Sequence, residues 1–270
     1  MISFLFWNLN RKPLQTVISK LASQREVDVI ILTECYIPSD ALLRALNYSD
    51  TSEYYYPSGL CKEVRIFTRF PEQYILPKFE DSRTTIRHIK LPGVTDILLV
   101  ATHFPSKLHW RDSSQVAECT VLANMIRTVE NEVGHSRTVL IGDLNTNPFE
   151  PGIVNANGLH GVMSRHIAKK RQRKVQGRSY PFFYNPMWSL LGDASPGPPG
   201  TYFQSRAEHT VFFWNTFDQL MIRPELLRFF NNEDLEILQS DGTISFLSRN
   251  GLPDGKLVSD HLPVYFKLRL

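Results

Sequence analysis

Five apolar runs of the sequence end in, or lead from, side chains that bind hard cations or move protons. Ile2–Trp7 runs into Asn8-Leu9-Asn10, and Val27–Leu32 into Thr33-Glu34. Ile97–Ala101 ends in Thr102-His103, and Thr138–Ile141 in Gly142-Asp143-Leu144-Asn145, while Ser259-Asp260-His261 stands directly before the last apolar run. Taken singly, each has an ordinary explanation, since Asn and Asp after a strand commonly open a turn. Together they form a set of carboxylate, amide and imidazole groups with no cysteine. Oxygen ligands with few imidazoles suit Mg²⁺ or Mn²⁺ rather than zinc. The reaction that uses such a set is metal-assisted attack of water on a phosphate ester. The cation polarises the phosphoryl oxygen, and a histidine held by a carboxylate donates to the transition state or shuttles a proton.

The elements that must position these groups are short strands interleaved with helices. Apolar, β-branched or aromatic runs at Ile2–Trp7, Val27–Leu32, Val64–Thr68, Ile97–Thr102, Thr138–Ile141, Val211–Ile222 and Leu262–Leu268 read as strands. In the last, Val264, Phe266 and Leu268 alternate with Tyr265, Lys267 and Arg269, the pattern of a strand with one wet face. Leu14, Val17, Ile18 and Leu21 have helical spacing after Pro13, which suits a first-turn position. A longer helix is predicted over Asp112–Val133, capped by Asp112, Ser113 or Ser114 and closed by Gly134. A short helix is expected after Pro224. Strand–helix–strand alternation followed by strand-rich sequence predicts an α/β fold with mixed sheets, in a single domain over 1–270.

Composition narrows the classes further. At 270 residues with 42% hydrophobic and 21% charged side chains, the chain can bury a sizeable core, which excludes a disordered protein. No apolar stretch is long enough to span a bilayer, and no stable membrane association is expected. The opening Met1–Trp7 lacks a basic leader and breaks at Asn8, so it reads as a strand rather than a signal peptide. Cys35, Cys61 and Cys119 are odd in number with no ligand spacing, so they read as free thiols; the expected compartment is the cytoplasm. The net charge of +3 conceals an uneven distribution. Arg165, Lys169, Lys170, Arg171, Arg173, Lys174 and Arg178 lie together with no acid among them, leaving −4 on the remainder.

The chain resembles the endonuclease/exonuclease/phosphatase superfamily, which has the fold of pancreatic-type deoxyribonuclease. The motifs that carry the resemblance are Trp7-Asn8-Leu9-Asn10, Leu32-Thr33-Glu34, Thr102-His103-Phe104, Ile141-Gly142-Asp143-Leu144-Asn145 with Asn147-Pro148, Phe217-Asp218-Gln219-Leu220-Met221-Ile222 and Ser259-Asp260-His261. They occur in the family's order and span almost the whole chain. The resemblance implies a four-layered α/β/β/α sandwich of two mixed β-sheets with helices outside. It further implies that Glu34, assisted by Asn8 and Asp260, holds the divalent cation, Mg²⁺ or Mn²⁺. Asp143 would orient or deprotonate the attacking water, and Asn145 would position the phosphate. His261, oriented by Asp218, would stabilise the transition state, and His103 would hydrogen-bond a phosphate oxygen or protonate the leaving group. Asn10 stands where several relatives carry aspartate, which weakens a second metal position. His103 stands where abasic-site endonucleases usually carry tyrosine, which points to the deoxyribonuclease and phosphatase branches.

The fold hosts many substrates, so the choice of phosphate ester rests on other residues. The basic segment falls between the Asp143 and Asp218 motifs, and Tyr180, Phe182, Phe183, Tyr184 and Trp188 follow it. Lys169, Lys170, Arg171, Arg173 and Lys174 are therefore the candidate substrate-binding cations, with the aromatic group read chiefly as core and Tyr202 and Phe203 as structural. The expected function is a metal-dependent nuclease cutting DNA or RNA phosphodiesters, with nucleic acid as partner and no protein partner inferable. The alternative is a phosphomonoesterase for an inositol polyphosphate or similar anion. A sphingomyelinase-like lipid hydrolase would need a hydrophobic membrane loop, which the sequence lacks. An inactive binding module does not account for retention of the whole catalytic set.

Overall fold

The computed structural model describes residues 1–48, 53–107 and 110–270. In chain order the elements are β1 (Ile2–Asn8), α1 (Gln15–Gln24), β2 (Val29–Thr33), α2 (Ser39–Leu46), β3 (Val64–Thr68), β4 (Ile75–Glu80), β5 (Thr84–Ile89), β6 (Ile97–His103) and α3 (Asp112–Val133). There follow β7 (Thr138–Asp143), α4 (Pro151–Val154), β8 (Gly161–Val162), α5 (Arg165–Ala168), β9 (Gln172–Val175), β10 (Arg178–Pro181) and β11 (Phe183–Tyr184). The chain closes with β12 (Tyr202–Phe203), β13 (Trp214–Asn215), β14 (Asp218–Ile222), β15 (Leu235–Ile237) and β16 (Val264–Leu268).

The described residues form one five-stranded sheet, ordered β15-β16-β1-β2-β3, and one seven-stranded sheet, ordered β4-β5-β6-β7-β14-β11-β8. Both are mixed: β1 and β2 are parallel in the first, β6 and β7 in the second. The sheets pack face to face with helices outside, giving a four-layered α/β/β/α sandwich. Alternate residues of β6 show why. Ile97, Leu99 and Ala101 join the core shared with β1, β2 and β16, whereas Leu98 and Val100 pack with Cys119, Leu122, Ala123 and Ile126 of α3. A strand covered on both faces must be apolar at every position, which is why these segments read as continuous hydrophobic runs. Within the first core Phe4 stacks on its cross-strand partner Phe266 at 4.6 Å between ring centroids.

Several local expectations are revised. The run Val211–Ile222 is not one strand but β13 and β14, separated by Thr216 and Phe217. Pro13 lies outside α1, which starts at Gln15. No side chain caps α3; Arg111 precedes it in extended conformation and Asp112 already belongs to its first turn. Gly134 does end α3 in the left-handed conformation, at φ 77°. The short helix expected after Pro224 is present as a 3-10 helix over Pro224–Phe229. The last strand is less wet than its alternation suggests, since Tyr265 is buried as well. Among the described residues no helix is long and apolar enough to cross a membrane.

Candidate active site

The parallel pairs set the geometry. Asn8 and Thr33 are register partners at the end of β1 and β2, and His103 and Asp143 are partners at the end of β6 and β7. Antiparallel β14 begins where β7 finishes, so Asp218 faces Asp143. Antiparallel β16 likewise brings His261 to the end of β1, where the Trp7 indole donates to the His261 carbonyl at 2.8 Å. The Ser259 hydroxyl donates to the Asn8 carbonyl at 2.7 Å, closing the same junction. Gly142 is required by this arrangement: a Cβ there would lie 2.1 Å from the Thr102 carbonyl oxygen, blocking the approach of β6 to β7.

Asp143 is the centre of the cluster and is almost fully buried. Its Oδ2 accepts from Asn8 Nδ2 at 3.0 Å, and its Oδ1 from the Asn145 backbone N–H at 2.9 Å. His103 Nε2 stands 3.8 Å and His261 Nε2 3.9 Å from the same Oδ2. His261 Nδ1 lies 2.8 Å from Asp218 Oδ2. Burial pushes the His261 pKa down, but the Asp218 and Asp143 carboxylates, the hydrogen bond to Asp218 and the charge of Asp260 outweigh it and raise it to about 10. Asp218 is itself raised by burial, with His261 opposing that shift. Asp218 is held further by its backbone N–H, which donates to Thr201 Oγ1 at 3.2 Å.

Glu34, Asn10 and Asn145 all adopt left-handed backbone, at φ 44°, 45° and 47°. Asparagine tolerates that region, but for Glu34 it is strain retained at the mouth of the site. Glu34 Oε1 lies 3.8 Å from His103 Nε2, and Oε2 lies 3.6 Å from Arg11 Nε. Asp260 carries a buried carboxylate oxygen, Oδ1, without any hydrogen-bond partner. An orphaned carboxylate oxygen that shares one cleft with Glu34, with no cysteine in its lining, is the donor chemistry a hard divalent cation takes. The donor set therefore fits Mg²⁺ or Mn²⁺.

These groups open into a cleft of about 840 Å³ lined by Glu34, His103, Asp143, Asn145, Asp260 and His261. Asn8 and Asp218 are not among its lining residues and are joined to it by their hydrogen bonds to Asp143 and His261.

No protein-family model and no curated protein matches the sequence. Solved structures do match, over nearly the whole chain. An AP endonuclease from Archaeoglobus fulgidus aligns at 13% identity, covering 100% of both chains, with a TM-score of 0.57. An endonuclease/exonuclease/phosphatase family protein from Leptotrichia buccalis aligns at 15% identity over 100% of both, with a TM-score of 0.56. TDP2 from D. rerio, solved with a single-strand DNA product, aligns at 13% identity over 98% of this chain and 97% of its own, with a TM-score of 0.56. The fold is that of the endonuclease/exonuclease/phosphatase superfamily.

Within this superfamily fold the structure gathers Asn8, Glu34, His103, Asp143, Asn145, Asp218, Asp260 and His261 at one edge of the sandwich. It does not bring Lys169, Lys170, Arg171, Arg173 or Lys174 to the cleft, whose cations are instead Arg11, Arg83, Lys107 and Arg206. The aromatic group after the basic segment turns inward: Phe182, Phe183 and Tyr184 are buried. Three further residues beside these groups are not singled out as site residues by the sequence. Glu63 Oε2 lies 3.5 Å from His103 Nδ1. Tyr202 packs its ring 4.6 Å from that of His261. Asn147 accepts from the Thr216 N–H at 2.9 Å and donates to Asn215 Oδ1 at 2.9 Å, tying the loop after β7 to the approach to Asp218. Of these, only Asn147 had a signal in the sequence, the Asn-Pro that follows the Asp143 motif.

A second cluster, His88, Asp96 and His135, lies outside the cleft. Both Nε2 atoms approach Asp96 Oδ2, at 2.8 and 3.1 Å, and Arg137 pairs with the other carboxylate oxygen. The Arg137 backbone N–H donates to His135 Nδ1 at 3.2 Å, so the neutral ring carries its proton on Nε2, the atom a metal would need. This cluster is a hydrogen-bonded brace. Burial lowers both histidine pKa values, while hydrogen bonds from His88 and Arg137 overcome burial to bring Asp96 down to about 2.

Proposed function

We propose that the cleft hydrolyses phosphodiester bonds of DNA or RNA, using a bound divalent cation. The observation that carries this is a carboxylate, Asp143, with the Nε2 atoms of two histidines at 3.8 and 3.9 Å on one oxygen, one of those histidines being backed by a buried Asp218. Such a set can take a proton from water and supply hydrogen bonds to a phosphoryl group in the same place.

Glu34 and Asp260, with the Asn8 amide oxygen, would hold the cation. When bound it supplies electrophilic polarisation of a phosphoryl oxygen and offsets developing negative charge. Asp143, fixed by Asn8 and the Asn145 N–H, orients the attacking water and accepts its proton as the water oxygen bonds to phosphorus. The bond from phosphorus to the leaving oxygen breaks, and His103 delivers a proton to that oxygen. His261, held by Asp218, donates from Nε2 to a non-bridging oxygen. Asn145 donates one amide hydrogen to the Phe104 carbonyl at 2.9 Å, which fixes its plane and leaves the second hydrogen for the phosphate. Cleft cations and solved relatives described as an AP endonuclease and as a DNA-product complex favour a nucleic-acid substrate. The phosphomonoesterase alternative asks for several unpaired cations converging on a compact anion, whereas Arg11 faces Glu34 and Lys107 pairs with Glu150.

The test is a cleavage panel with Mg²⁺ and Mn²⁺ at fixed salt, comparing the wild type with Asp143→Ala. Plasmid, single-stranded DNA, structured RNA and an inositol polyphosphate are assayed side by side. Metal-dependent cutting of a nucleic acid that is lost in the variant is expected. Phosphate release from the inositol polyphosphate alone would overturn the nuclease assignment in favour of the alternative.

A further inference from the structure

Of the cations set apart in the sequence, Arg173, Lys174 and Arg178 lie on a ribbon whose root is far from the cleft, and Lys169, Lys170 and Arg171 lead into it. Strands β9 and β10 pair antiparallel from Arg178↔Val175 to Pro181↔Gln172. They are joined by Gln176 and Gly177 at φ 48° and 78°, the two left-handed residues of a tight hairpin turn. The root is tied to the end of β14 remote from Asp218: Arg223 Nη1 donates to the carbonyls of Pro181 and Phe182 at 3.3 and 3.1 Å. Asp218 and Ile222 are separated by four residues of extended strand, about 13 Å at ~3.3 Å per residue. The ribbon therefore leaves the sandwich at the end opposite the catalytic cluster.

One cation on it is held in a fixed pose by a group the cleft does not use. Buried His160, at φ 56°, lies with Nδ1 3.2 Å from the Pro181 carbonyl, and its Nε2 accepts from Arg173 Nε at 2.9 Å. Burial lowers its pKa to about 4, so the ring is neutral and able to accept at physiological pH. Both Nη groups of Arg173 have no acceptor among the described residues, which leaves the fork of the guanidinium open to solvent. Exposed Lys169, Lys170, Lys174 and Arg178 form no ion pair among the described residues, while Arg171 pairs with Glu225. A guanidinium anchored through Nε with its Nη pair free is arranged for bidentate contact with a phosphate.

We infer that the β9–β10 ribbon is a second docking site, outside the cleft, for the phosphodiester backbone of a nucleic acid, with Arg173 as its oriented contact. The inference rests on the nuclease assignment of the cleft and adds a remote contact with the same polymer. Two observations select this occupant over a membrane. Alternation along β9 puts Arg173 and Lys174 on opposite faces of the ribbon, so charge is presented on both sides, as in a ribbon lying against a polymer. No large apolar side chain is exposed between Lys169 and Arg178, and stable membrane adsorption needs one.

The test compares the full chain with a variant carrying Lys169→Ala, Lys170→Ala, Arg173→Ala, Lys174→Ala and Arg178→Ala, and with Arg173→Lys alone. Binding to a 30-base-pair duplex and a 30-nucleotide strand is measured across a salt series, in an Asp143→Asn background to prevent cleavage. Turnover of bis(p-nitrophenyl) phosphate by otherwise wild-type protein reports the cleft alone, and phosphatidylserine vesicles provide the membrane arm. Each lost contact should flatten the slope of log affinity against log salt by about 0.9 on duplex, so the multiple variant should lose a slope of about 3 to 4.5. Arg173→Lys keeps the charge but not the fork, and should weaken affinity severalfold with little change in slope. An unchanged slope in the multiple variant overturns the proposal, as does ribbon-dependent binding to vesicles but not to polymer. An equal loss of small-diester turnover also overturns it, by making the ribbon part of the cleft. Should the wild type cut no nucleic acid yet bind the duplex through the ribbon, the cleft assignment fails and the docking site stands.

Discussion

Asp143 and Asp218 are cross-strand partners at the end of the β7–β14 ladder, two buried carboxylates facing each other. Like charges in that relation repel, and burial removes the water that would screen them. His261 makes the pairing tenable, with Nδ1 at 2.8 Å from Asp218 and Nε2 at 3.9 Å from Asp143. The histidine proposed to act in catalysis is thus also a structural counter-ion. His261→Ala should lower turnover by about a thousandfold and destabilise the fold by roughly 3 kcal/mol, since it leaves buried charge uncompensated. Adding Asp218→Asn should recover much of the melting temperature without recovering turnover. Thermal melts and kcat on the same two proteins separate the roles; full stability of the single variant would refute the counter-ion role.

Acid should weaken the fold through His160. Its pKa is lowered to about 4 in the folded chain, by burial against the opposing pull of the Pro181 carbonyl, from an ordinary value of 6.5. A base with a depressed folded pKa is protonated first in the unfolded chain, so stability is complete above pH 6.5 and declines as pH falls towards 4. His88 and His135 are lowered too and add to that decline. His160→Gln should flatten the dependence of urea midpoint on pH between 6.5 and 4 without abolishing it. An identical pH slope in wild type and variant would contradict the shift.

How much of this was visible in the sequence follows from which residues are covered. β1, β2, β6 and β7 are sealed on both faces, so Asn8, Glu34, His103 and Asp143 stood out where an apolar run stopped. Glu63 and Tyr202 carry no such signal. Glu63 precedes an ordinary strand, and Tyr202 follows a proline- and glycine-rich loop, so tertiary packing alone brings them to the histidines. The basic segment lies between two catalytic motifs in sequence, and that order suggested proximity. β14 runs antiparallel to β7, however, so it carries the chain from Asp218, beside Asp143, to Ile222 at the far end of the ladder, and the ribbon attaches there. Val211–Ile222 read as one strand because Thr216 and Phe217, which break it, have strand-compatible side chains.

The root of the ribbon depends on a buried ion pair. Arg223 Nε lies 2.8 Å from Glu130 Oε1 of α3, and its guanidinium stacks 3.9 Å from the Phe183 ring centroid. Removing one partner strands the other charge in the interior. Arg223→Ala should cost about 3–5 kcal/mol. A Glu130→Met/Arg223→Met double variant should be closer to wild-type stability than either single change. Urea unfolding of the three proteins decides this; additive losses would show that the pair is not coupled.

Glu34 should govern cation affinity. Chelation by EDTA should abolish cleavage, and added Mg²⁺ or Mn²⁺ should restore it. Glu34→Gln should raise the cation concentration giving half-maximal activity at least tenfold. Titration calorimetry with Mn²⁺ provides a readout independent of turnover. Unaltered Mn²⁺ affinity with lost turnover would remove Glu34 from the ligand set.

Glu63 should orient His103. Its Oε2 stands 3.5 Å from His103 Nδ1, a buried nitrogen with no hydrogen-bond partner. Contacts of this length between groups at an active site commonly tighten once substrate binds. A carboxylate at Nδ1 accepts from that N–H and turns the Nε2 side of the ring towards the cleft, as Asp218 does for His261, so that the proton to be delivered sits on Nε2. Glu63→Gln should therefore lower kcat by about ten- to a hundredfold while KM changes little, because the loss falls on the transition state. Glu63→Asp, with a shorter reach, should fall between the two. A substrate with an activated leaving group such as p-nitrophenolate needs no proton on departure, and with it the defect should shrink if His103 is the general acid. A variant that raises KM alone would instead make Glu63 a substrate contact, and one that keeps wild-type kinetics would remove it from the site.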